Sequence, residues 1–385
     1  MDNVSIINDR QCCGCGACAI VCSAGGVSLC LDKNGYYKSC IIEDKCMHCG
    51  KCLDICPCKC DPEKVPEASF IGYCRSAEDV WKSSSGGIGY AIAKTYHEKG
   101  YAIIGASWSS DFRMVEHIIA ADDTDLEKLR KSKYVQSYTP EAFSRIKDFD
   151  RVVVFGTPCQ IAGLRKLYGH RDGLILVDFD CMGPAGLNLW HKAVDYYESI
   201  DGSGIKNIRM RDKKKSWMMY GTRVDYESQG LYWKDKFHDP FCILYHFGKT
   251  IQDACIKSCQ FQNASLADIR IGDAWNDTNG FSREQIRNGL SIATPITERG
   301  NEVLNEISGM VNFYDARRRQ NKPTSYVRNE RIVECLNDPT KSIQDAVSIY
   351  NDVGGGERIR RKISYMLSAN ETIYLFIKKA LRMLR

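Results

Sequence analysis

The 385-residue chain contains no apolar run approaching the ~18 residues that an apolar helix needs to cross a bilayer, so no membrane-spanning segment is expected. Its start, MDNVSIINDRQCC, lacks the apolar stretch of a secretory signal. Low-complexity segments are absent, and charge is nearly balanced: 53 Lys and Arg against 48 Asp and Glu leave +5. That excess is too small for a general nucleic-acid surface, and the aromatics do not interleave with the basic runs. These absences point to a cytoplasmic protein with no nucleic-acid partner. With 44% hydrophobic and 26% charged residues the composition is that of an ordinary globular chain, long enough for two or three domains.

Cysteine is what the chain has in quantity, 20 in all. In a small secreted protein that number would mean disulfides; in a long chain kept in a reducing compartment, thiols read as metal ligands. Eight of them form two copies of C-x2-C-x2-C-x3-C: Cys12, Cys15, Cys18 and Cys22, then Cys46, Cys49, Cys52 and Cys56. This is the bacterial ferredoxin run, in which the fourth cysteine of each copy ligates the other copy's cluster. One [4Fe–4S] cluster is therefore expected on Cys12, Cys15, Cys18 and Cys56, and a second on Cys46, Cys49, Cys52 and Cys22. Structural zinc sites use two CxxC pairs set further apart, and the uninterrupted triplets here disfavour them. Pro57 follows Cys56 as the run expects, whereas Ser23 stands where the first copy would have proline. Cys13 is an extra neighbour, read as no ligand.

The rest of the chain divides by pattern into an α+β or α/β arrangement. Residues 1–62 are the ferredoxin-like two-cluster domain, and the Pro- and charge-rich stretch 56–69 reads as a linker. Residues 63–150 include a Ser/Gly loop, Ser83, Ser84, Ser85, Gly86 and Gly87, ahead of an amphipathic helix and a buried strand over 101–108. Residues 151–320 form the α/β region. Strand 151–159, helix 160–169 and strand 174–181 make a βαβ unit, and a further strand is expected over 267–275. Residues 321–385 read as a basic helical tail, whose last part (357–385) carries eight Lys/Arg and two Glu. Such a helix either packs on the protein's own core or lies on an anionic membrane face.

Four more cysteines stand in telling places. Cys159 follows one strand of the βαβ unit and Cys181 ends the next, at the carboxyl edge where open α/β sheets bind ligands. Cys255 and Cys259 form a close pair later on. Four thiols at one rim would suit a third [4Fe–4S] cluster; small buried packing residues are the competing reading. The other eight (Cys13, Cys30, Cys40, Cys58, Cys60, Cys74, Cys242 and Cys335) are read as structural or incidental thiols.

SSSGG at 83–87, GTPCQIAGL at 156–164, CMG at 181–183, RDKKKSW at 211–217, the Cys255/Cys259 pair and IGDAW at 271–275 occur in this order. Together they resemble the coenzyme F420 hydrogenase/dehydrogenase beta-subunit family, here with an amino-terminal ferredoxin domain, over residues 1–300. The resemblance implies a third cluster on Cys159, Cys181, Cys255 and Cys259, an α/β flavin-binding catalytic domain, and non-covalent FAD. It places the flavin near Ser83, Ser84, Ser85, Gly86 and Gly87, with Gly156, Thr157 and Pro158 shaping the pocket floor and Arg211, Lys213 and Asp273 beside it. A Ser/Gly turn before a helix is suited to an anionic phosphate, although the same turn serves as a plain helix start. The family's pattern is broken at Met182, where histidine is frequent, and at Asn276, where glycine is frequent.

The function this implies is an iron–sulfur flavin-dependent oxidoreductase, passing electrons between a ferredoxin-like or other redox donor protein and a two-electron, small-molecule or glycan-linked substrate. Surface-polysaccharide biosynthesis is the expected setting, and the basic tail would suit peripheral membrane contact at the inner face. Self-association is left open. The alternatives are a coenzyme F420 reductase or dehydrogenase beta subunit, and an electron-transfer subunit with no substrate of its own. No catalytic residue is assigned.

Overall fold

A computed structural model describes residues 3–8, 10–248, 250–257, 259–275, 277–320, 328–353, 359, 361–363 and 365–366. The amino-terminal module is a hairpin, β1 (Val27–Leu31) and β2 (Tyr37–Ile41), flanked by two short helices, Ala17–Val21 and Lys51–Asp54. Each helix follows a left-handed glycine, Gly16 or Gly50, inside a cysteine run. A positive φ is readily available to glycine, and here it turns the chain sharply enough for three spaced thiols to face one point.

Six strands follow: β3 (Ala68–Cys74), β4 (Ala102–Trp108), β5 (Val115–Ala120), β6 (Ser137–Tyr138), β7 (Val152–Gly156) and β8 (Leu174–Phe179). Next comes an antiparallel trio, β9 (Ile205–Asp212), β10 (Gly221–Tyr226) and β11 (Leu231–Asp235). The last strands are β12 (Ile269–Asp273), β13 (Ser291–Pro295) and β14 (Val311–Arg317). Nine of them form one mixed sheet in the order β14-β3-β13-β12-β8-β7-β4-β5-β6. The regions 63–150 and 151–320 thus share a single sheet.

The expected βαβ unit is present: β7 and β8 are parallel, joined by the helix Pro158–Tyr168. Its start is written in the sequence. Thr157 caps the helix, Pro158 takes the first position where no N–H is needed, and Gln160 bonds back to the Thr157 amide at 2.9 Å. β12 runs parallel to β8, so β7, β8 and β12 end on one edge of the sheet.

The stretch read as a linker is strapped down. The Val65 amide donates to the Asn263 carbonyl at 2.9 Å, the Ser265 amide to the Glu63 carbonyl at 3.0 Å, and Lys64 bridges Ala264. Fixed partners, rather than Pro and charge content, decide the conformation here. A second departure is that Cys30 and Cys40 are joined as a disulfide across the hairpin. Their strands place them diagonally on one face, a relation that spacing alone does not reveal.

The helix Leu187–Asp201 lies at the centre of one core cluster, with Trp190, Ala193, Val194 and Tyr197 fully buried. The helices Glu330–Asn337 and Ile343–Val353 add Ile332, Ile343 and Ala346 to it, so this part of the expected tail is packing material. The basic segment 357–385 falls largely outside the described residues. Among the described residues, no helix is long and apolar enough to cross a membrane.

Candidate functional site

Cys12, Cys15, Cys18 and Cys56 are buried and line one recess together with Val4, Leu29 and Pro57. Cys13 and Cys58 line the same recess, and the four thiols of the grouping expected from the sequence are here called the proximal set. Cys22, Cys46, Cys49 and Cys52 are here called the distal set: Cys52 is buried, Cys22 and Cys46 are half-buried, and Cys49 is exposed close to the exposed Met47. The Gly26 amide donates to Cys22 Sγ at 3.1 Å and Asn3 Nδ2 to Cys46 Sγ at 3.4 Å.

The third set assembles at the carboxyl edge of β7 and β8. Cys159 opens the helix after β7, Cys181 follows β8, Cys255 lies in the short helix Asp253–Lys257, and Cys259 comes just beyond it. The charges of Cys181, Cys159 and Cys259 all act on Cys255. Gly183 permits this convergence. Its φ is +99°, and an added Cβ would stand 2.8 Å from Cys255 Cβ and 3.0 Å from Cys255 Sγ. Its amide donates to Cys181 Sγ at 3.3 Å, and Thr157 Oγ1 meets Cys159 Sγ at 3.3 Å.

Among the described residues, no three His, Cys, Asp or Glu side chains stand close enough to hold a single metal ion. Thiolates on a cubane sit at the corners of a wider body. Burial raises the pKa of Cys12 and Cys18, that of Cys181 to about 12, and those of Cys255 and Cys259. A bound cationic core would offset the cost of ionising these five thiols, so they suit metal-bound thiolates of the iron–sulfur kind.

Cys13 and Cys58, read from the sequence as incidental, occupy the ground between sets. The Cys13 thiol is in hydrogen-bond contact with those of Cys15, Cys58 and Cys159, and Cys58 also touches Cys56. No local signal marks them, because the link to Cys159 joins residues more than a hundred positions apart.

The cofactor residues expected from the resemblance fall into two groups. Arg211, at the end of β9, is 4% exposed and forms a bidentate pair with Asp273 at the end of β12, at 2.6 and 2.9 Å. Trp217 Nε1 donates to the same carboxylate at 2.8 Å and stacks on Trp275, ring centroids 4.0 Å apart. Burial works against the Arg211 charge, but Asp273 holds its pKa above the ordinary value. Arg211 Nε is buried and has no hydrogen-bond partner among the described residues. The guanidinium lies over Tyr220 (4.7 Å) and Trp275 (5.3 Å), and Lys236 Nζ lies over the same two rings at 4.7 and 5.9 Å. Two cations sharing one aromatic pair, one with an unused donor, fit an anionic aromatic ligand.

The second group is turned inward. Lys213 Nζ donates to the carbonyls of Val80, Ser85 and Asn288, and burial lowers its pKa to about 6. Ser83 Oγ bonds the Asp79 carbonyl, Ser84 Oγ accepts from Ser132, and Ser85 Oγ meets Ser291 Oγ. Gly86 donates its amide to Ser291 Oγ, and Gly87, φ +95°, opens the helix Ile88–Glu98. These side chains pin the loop; Lys213 is its clamp. Gly156, Thr157 and Pro158 form the turn that presents Cys159. Met182 is exposed, and Asn276 lies outside the described residues.

The sequence reading missed an aromatic group between the third set and Arg211. Tyr245 donates its hydroxyl to the Gly183 carbonyl at 2.8 Å, stacks with Tyr134 and adjoins His246. His246 Nε2 meets the Tyr220 hydroxyl at 3.0 Å, and burial lowers the imidazole pKa to about 3, so it is neutral. By contrast, a concavity of ≈ 720 Å³ bordered by Tyr101, Arg151 and Gly173 lies at the amino ends of β4, β7 and β8, away from every thiol set.

Residues 149–316 match the model of the carboxyl-terminal domain of the coenzyme F420 hydrogenase/dehydrogenase beta subunit, a span that holds the third set, Arg211 and Asp273. This region carries the carboxyl-terminal domain of the coenzyme F420 hydrogenase/dehydrogenase beta-subunit family. The chain is 32% identical over 324 residues to the coenzyme F420-dependent sulfite reductase of Methanocaldococcus jannaschii, covering 78% of this chain and 47% of that protein. It is 25% identical over 303 residues to the F subunit of the F420H2 dehydrogenase of Methanosarcina mazei, covering 73% of this chain and 81% of that one. A solved structure of the F420-reducing [NiFe] hydrogenase complex from Methanosarcina barkeri aligns with TM-score 0.46 and 20% identity, over 76% of this chain and 95% of that chain.

Proposed function

We propose that this chain is an iron–sulfur oxidoreductase subunit that exchanges electrons between one-electron protein carriers and a two-electron deazaflavin of the coenzyme F420 type, with FAD between them. The observation that carries the reading is the continuous line of contacts from Cys255 and Gly183 through Tyr245 and His246 to Tyr220 and Arg211. Relatives whose names contain F420 favour this role, which replaces the surface-polysaccharide setting expected from the sequence.

Bound clusters supply single-electron steps, and a bound flavin supplies the pairing needed for hydride transfer. The protein's own residues do the rest. Cys49 and its exposed surroundings admit an outside carrier at the distal set. Thr157 and the Gly183 amide orient thiolates of the third set, and such hydrogen bonds tune a cluster's potential. Arg211, held by Asp273, would bind an anionic group with its remaining N–H, while Tyr220, Trp217 and Trp275 exclude water. Ser83, Ser84, Ser85, Gly86 and Gly87, pinned by Lys213, and the turn at Gly156, Thr157 and Pro158 would frame the flavin.

The deciding experiment is anaerobic purification with iron and flavin quantified, followed by oxidation of reduced F420 coupled to a viologen acceptor. About 12 irons, bound flavin and F420 turnover are expected. Eight irons or fewer, or a flavin-loaded protein that leaves F420 unreacted, would overturn the proposal.

Two further results are expected at the ligand site. Arg211→Lys loses the bidentate geometry and should weaken FAD or F420 binding by about tenfold, the scale of one charge-assisted hydrogen bond. The second concerns pH. Burial lowers the Lys236 pKa to about 8, with Arg211 pushing it the same way and Cys242, Asp273 and Asp235 opposing. The protonated form attracts the anion, so affinity should be full below pH 8 and fall by about tenfold per unit above it, as one-proton linkage requires. Fluorescence titration from pH 6.5 to 9.5 reads this, and a Lys236→Met variant with the same slope would refute it.

A further inference from the structure

Oxidising a reduced deazaflavin yields protons as well as electrons, and clusters take only the electrons. A pocket that sends single electrons to the third set must therefore also send protons to solvent. Its cations are poorly placed for this. Arg211 stays protonated against Asp273, and Lys236 stands over the ring faces of Tyr220 and Trp275.

A line of hydroxyl and imidazole groups starts from the same place. Tyr220, immediately before β10, is 5% exposed, and its hydroxyl meets His246 Nε2 at 3.0 Å. The Tyr134 hydroxyl is in hydrogen-bond contact with that of Tyr220, and the Tyr134 ring packs edge-on to His246 at 5.5 Å. His246 closes the helix Pro240–His246 and is half-buried. The line thus begins under the Arg211 guanidinium, 4.7 Å from the Tyr220 ring centre, and ends at an imidazole that solvent reaches.

As packing alone this line is costly. Phenylalanine at either tyrosine would fill nearly the same space with no buried hydroxyl to satisfy. What a hydroxyl and a neutral imidazole add is the ability to accept a proton at one site while donating another. Burial, with the charges of Lys236 and Arg211, keeps His246 neutral, so it passes a proton on and does not store one. Tyr220 also faces Cys242 and Asp273, and Tyr245 stacks on the far side of Tyr134 and adjoins His246.

We infer that Tyr220 and His246 form the proton outlet of the ligand pocket, with Tyr134 holding the Tyr220 hydroxyl in line. As two electrons leave the bound flavin singly for the third set, one N–H bond on it breaks and an O–H bond forms on Tyr220. The proton Tyr220 carried moves to His246 Nε2, and the proton on Nδ1 leaves to water. One proton enters the line and one departs, no electron stays on it, and exchange with water restores the imidazole tautomer. Reduction of the ligand runs the same bonds in reverse. This rests on the function proposed above and adds the proton's path to that of the electrons.

The test uses the full chain loaded anaerobically with clusters and FAD, then mixed with reduced F420 and a viologen in weak buffer. A pH indicator reads proton release while flavin absorbance reads electron loss. His246→Gln keeps a hydrogen bond to Tyr220 but cannot relay a proton. It should slow proton release by about a hundredfold, the scale of a lost acid–base group, with FAD content and cluster potentials at parent values. Added imidazole should restore release in His246→Gly and leave Tyr220→Phe slow. In the FAD-free chain, 15N-labelled histidine should show a neutral His246 whose Nε2 signal moves in Tyr220→Phe. Proton release at the parent rate in His246→Gln, or an unmoved Nε2 signal, would overturn the outlet and leave the proposed function standing. A parent chain that binds no FAD, or leaves reduced F420 unreacted, would overturn that function and the outlet with it.

Discussion

Anaerobically assembled protein carrying Cys13→Ala and Cys159→Ala should retain about 8 irons where the parent holds about 12, and its electron flow from ferredoxin-type donors to F420 should drop to background. Cys159 is the third-set ligand tied most directly to the fold, since it sits in the first turn of the capped helix after β7. Alanine is used because a serine oxygen can replace a thiolate. The second substitution is needed because Cys13 contacts Cys159 and is the thiol best placed to substitute for it. Signals from the distal and proximal clusters should persist, as the eight ferredoxin cysteines are untouched. Iron that stays near 12 in the double variant would mean that Cys159 holds no cluster. Iron that falls to 8 with F420 turnover intact would mean that the third cluster is off the path.

Arg270→Met should cost about 3–5 kcal/mol of stability, the range for removing one partner of a buried ion pair. Arg270 and Asp178 are almost wholly buried and are joined at 2.7 and 2.8 Å. The guanidinium also donates to the carbonyls of Phe261 and Ala264, in the loop that follows Cys259. Asp178 lies on β8, three residues before Cys181. One side chain thus connects the strand behind one third-set ligand to the loop behind another. Methionine keeps the stem volume and leaves Asp178 charged, with Ser265 Oγ at 2.6 Å the remaining side-chain donor among the described residues. Chemical denaturation measures the loss, and Arg270→Met/Asp178→Leu should recover a large part of it, since the stranded charge is then gone. Iron quantification adds a readout that general destabilisation would not produce: selective loss from the third set with the eight ferredoxin ligands still loaded. Stability within about 1 kcal/mol of the parent would rule out this account.

The legible parts of this protein were those whose chemistry is local. Triplet cysteine spacing sets the two ferredoxin runs, and Thr157-Pro158 with Gln160 sets a helix start; both are complete within a few residues. The βαβ unit was readable because β7 and β8 are continuous β-branched or leucine-rich runs. The resemblance to the family extended that reach to Arg211 and Asp273, which the structure joins directly. What was hidden depends on distant partners. Lys38 looks like one more surface cation in NGYYKSC until Gln252 and the Cys12 carbonyl bury it. Tyr134, Tyr220, Tyr245 and His246 carry no spacing signal, because strands and helices far apart in the chain bring them together. The Ser83–Ser85 hydroxyls have a part that the motif does not show: they fasten the loop through Asp79, Ser132 and Ser291, none of which is adjacent in the chain.

The strap at residues 63–65 has a mechanical consequence. Because Glu63, Lys64 and Val65 are bonded to 263–265, just past Cys259, the amino-terminal module has no free tether on which to swing. It resembles a soldered terminal more than a shuttling arm, and its throughput should not depend on solvent viscosity as a swinging carrier's would. The same bonds make the loading of the Cys259 loop audible at a distance. A protease that nicks the segment between residues 60 and 68 should cut it faster when that loop is empty than when it is filled.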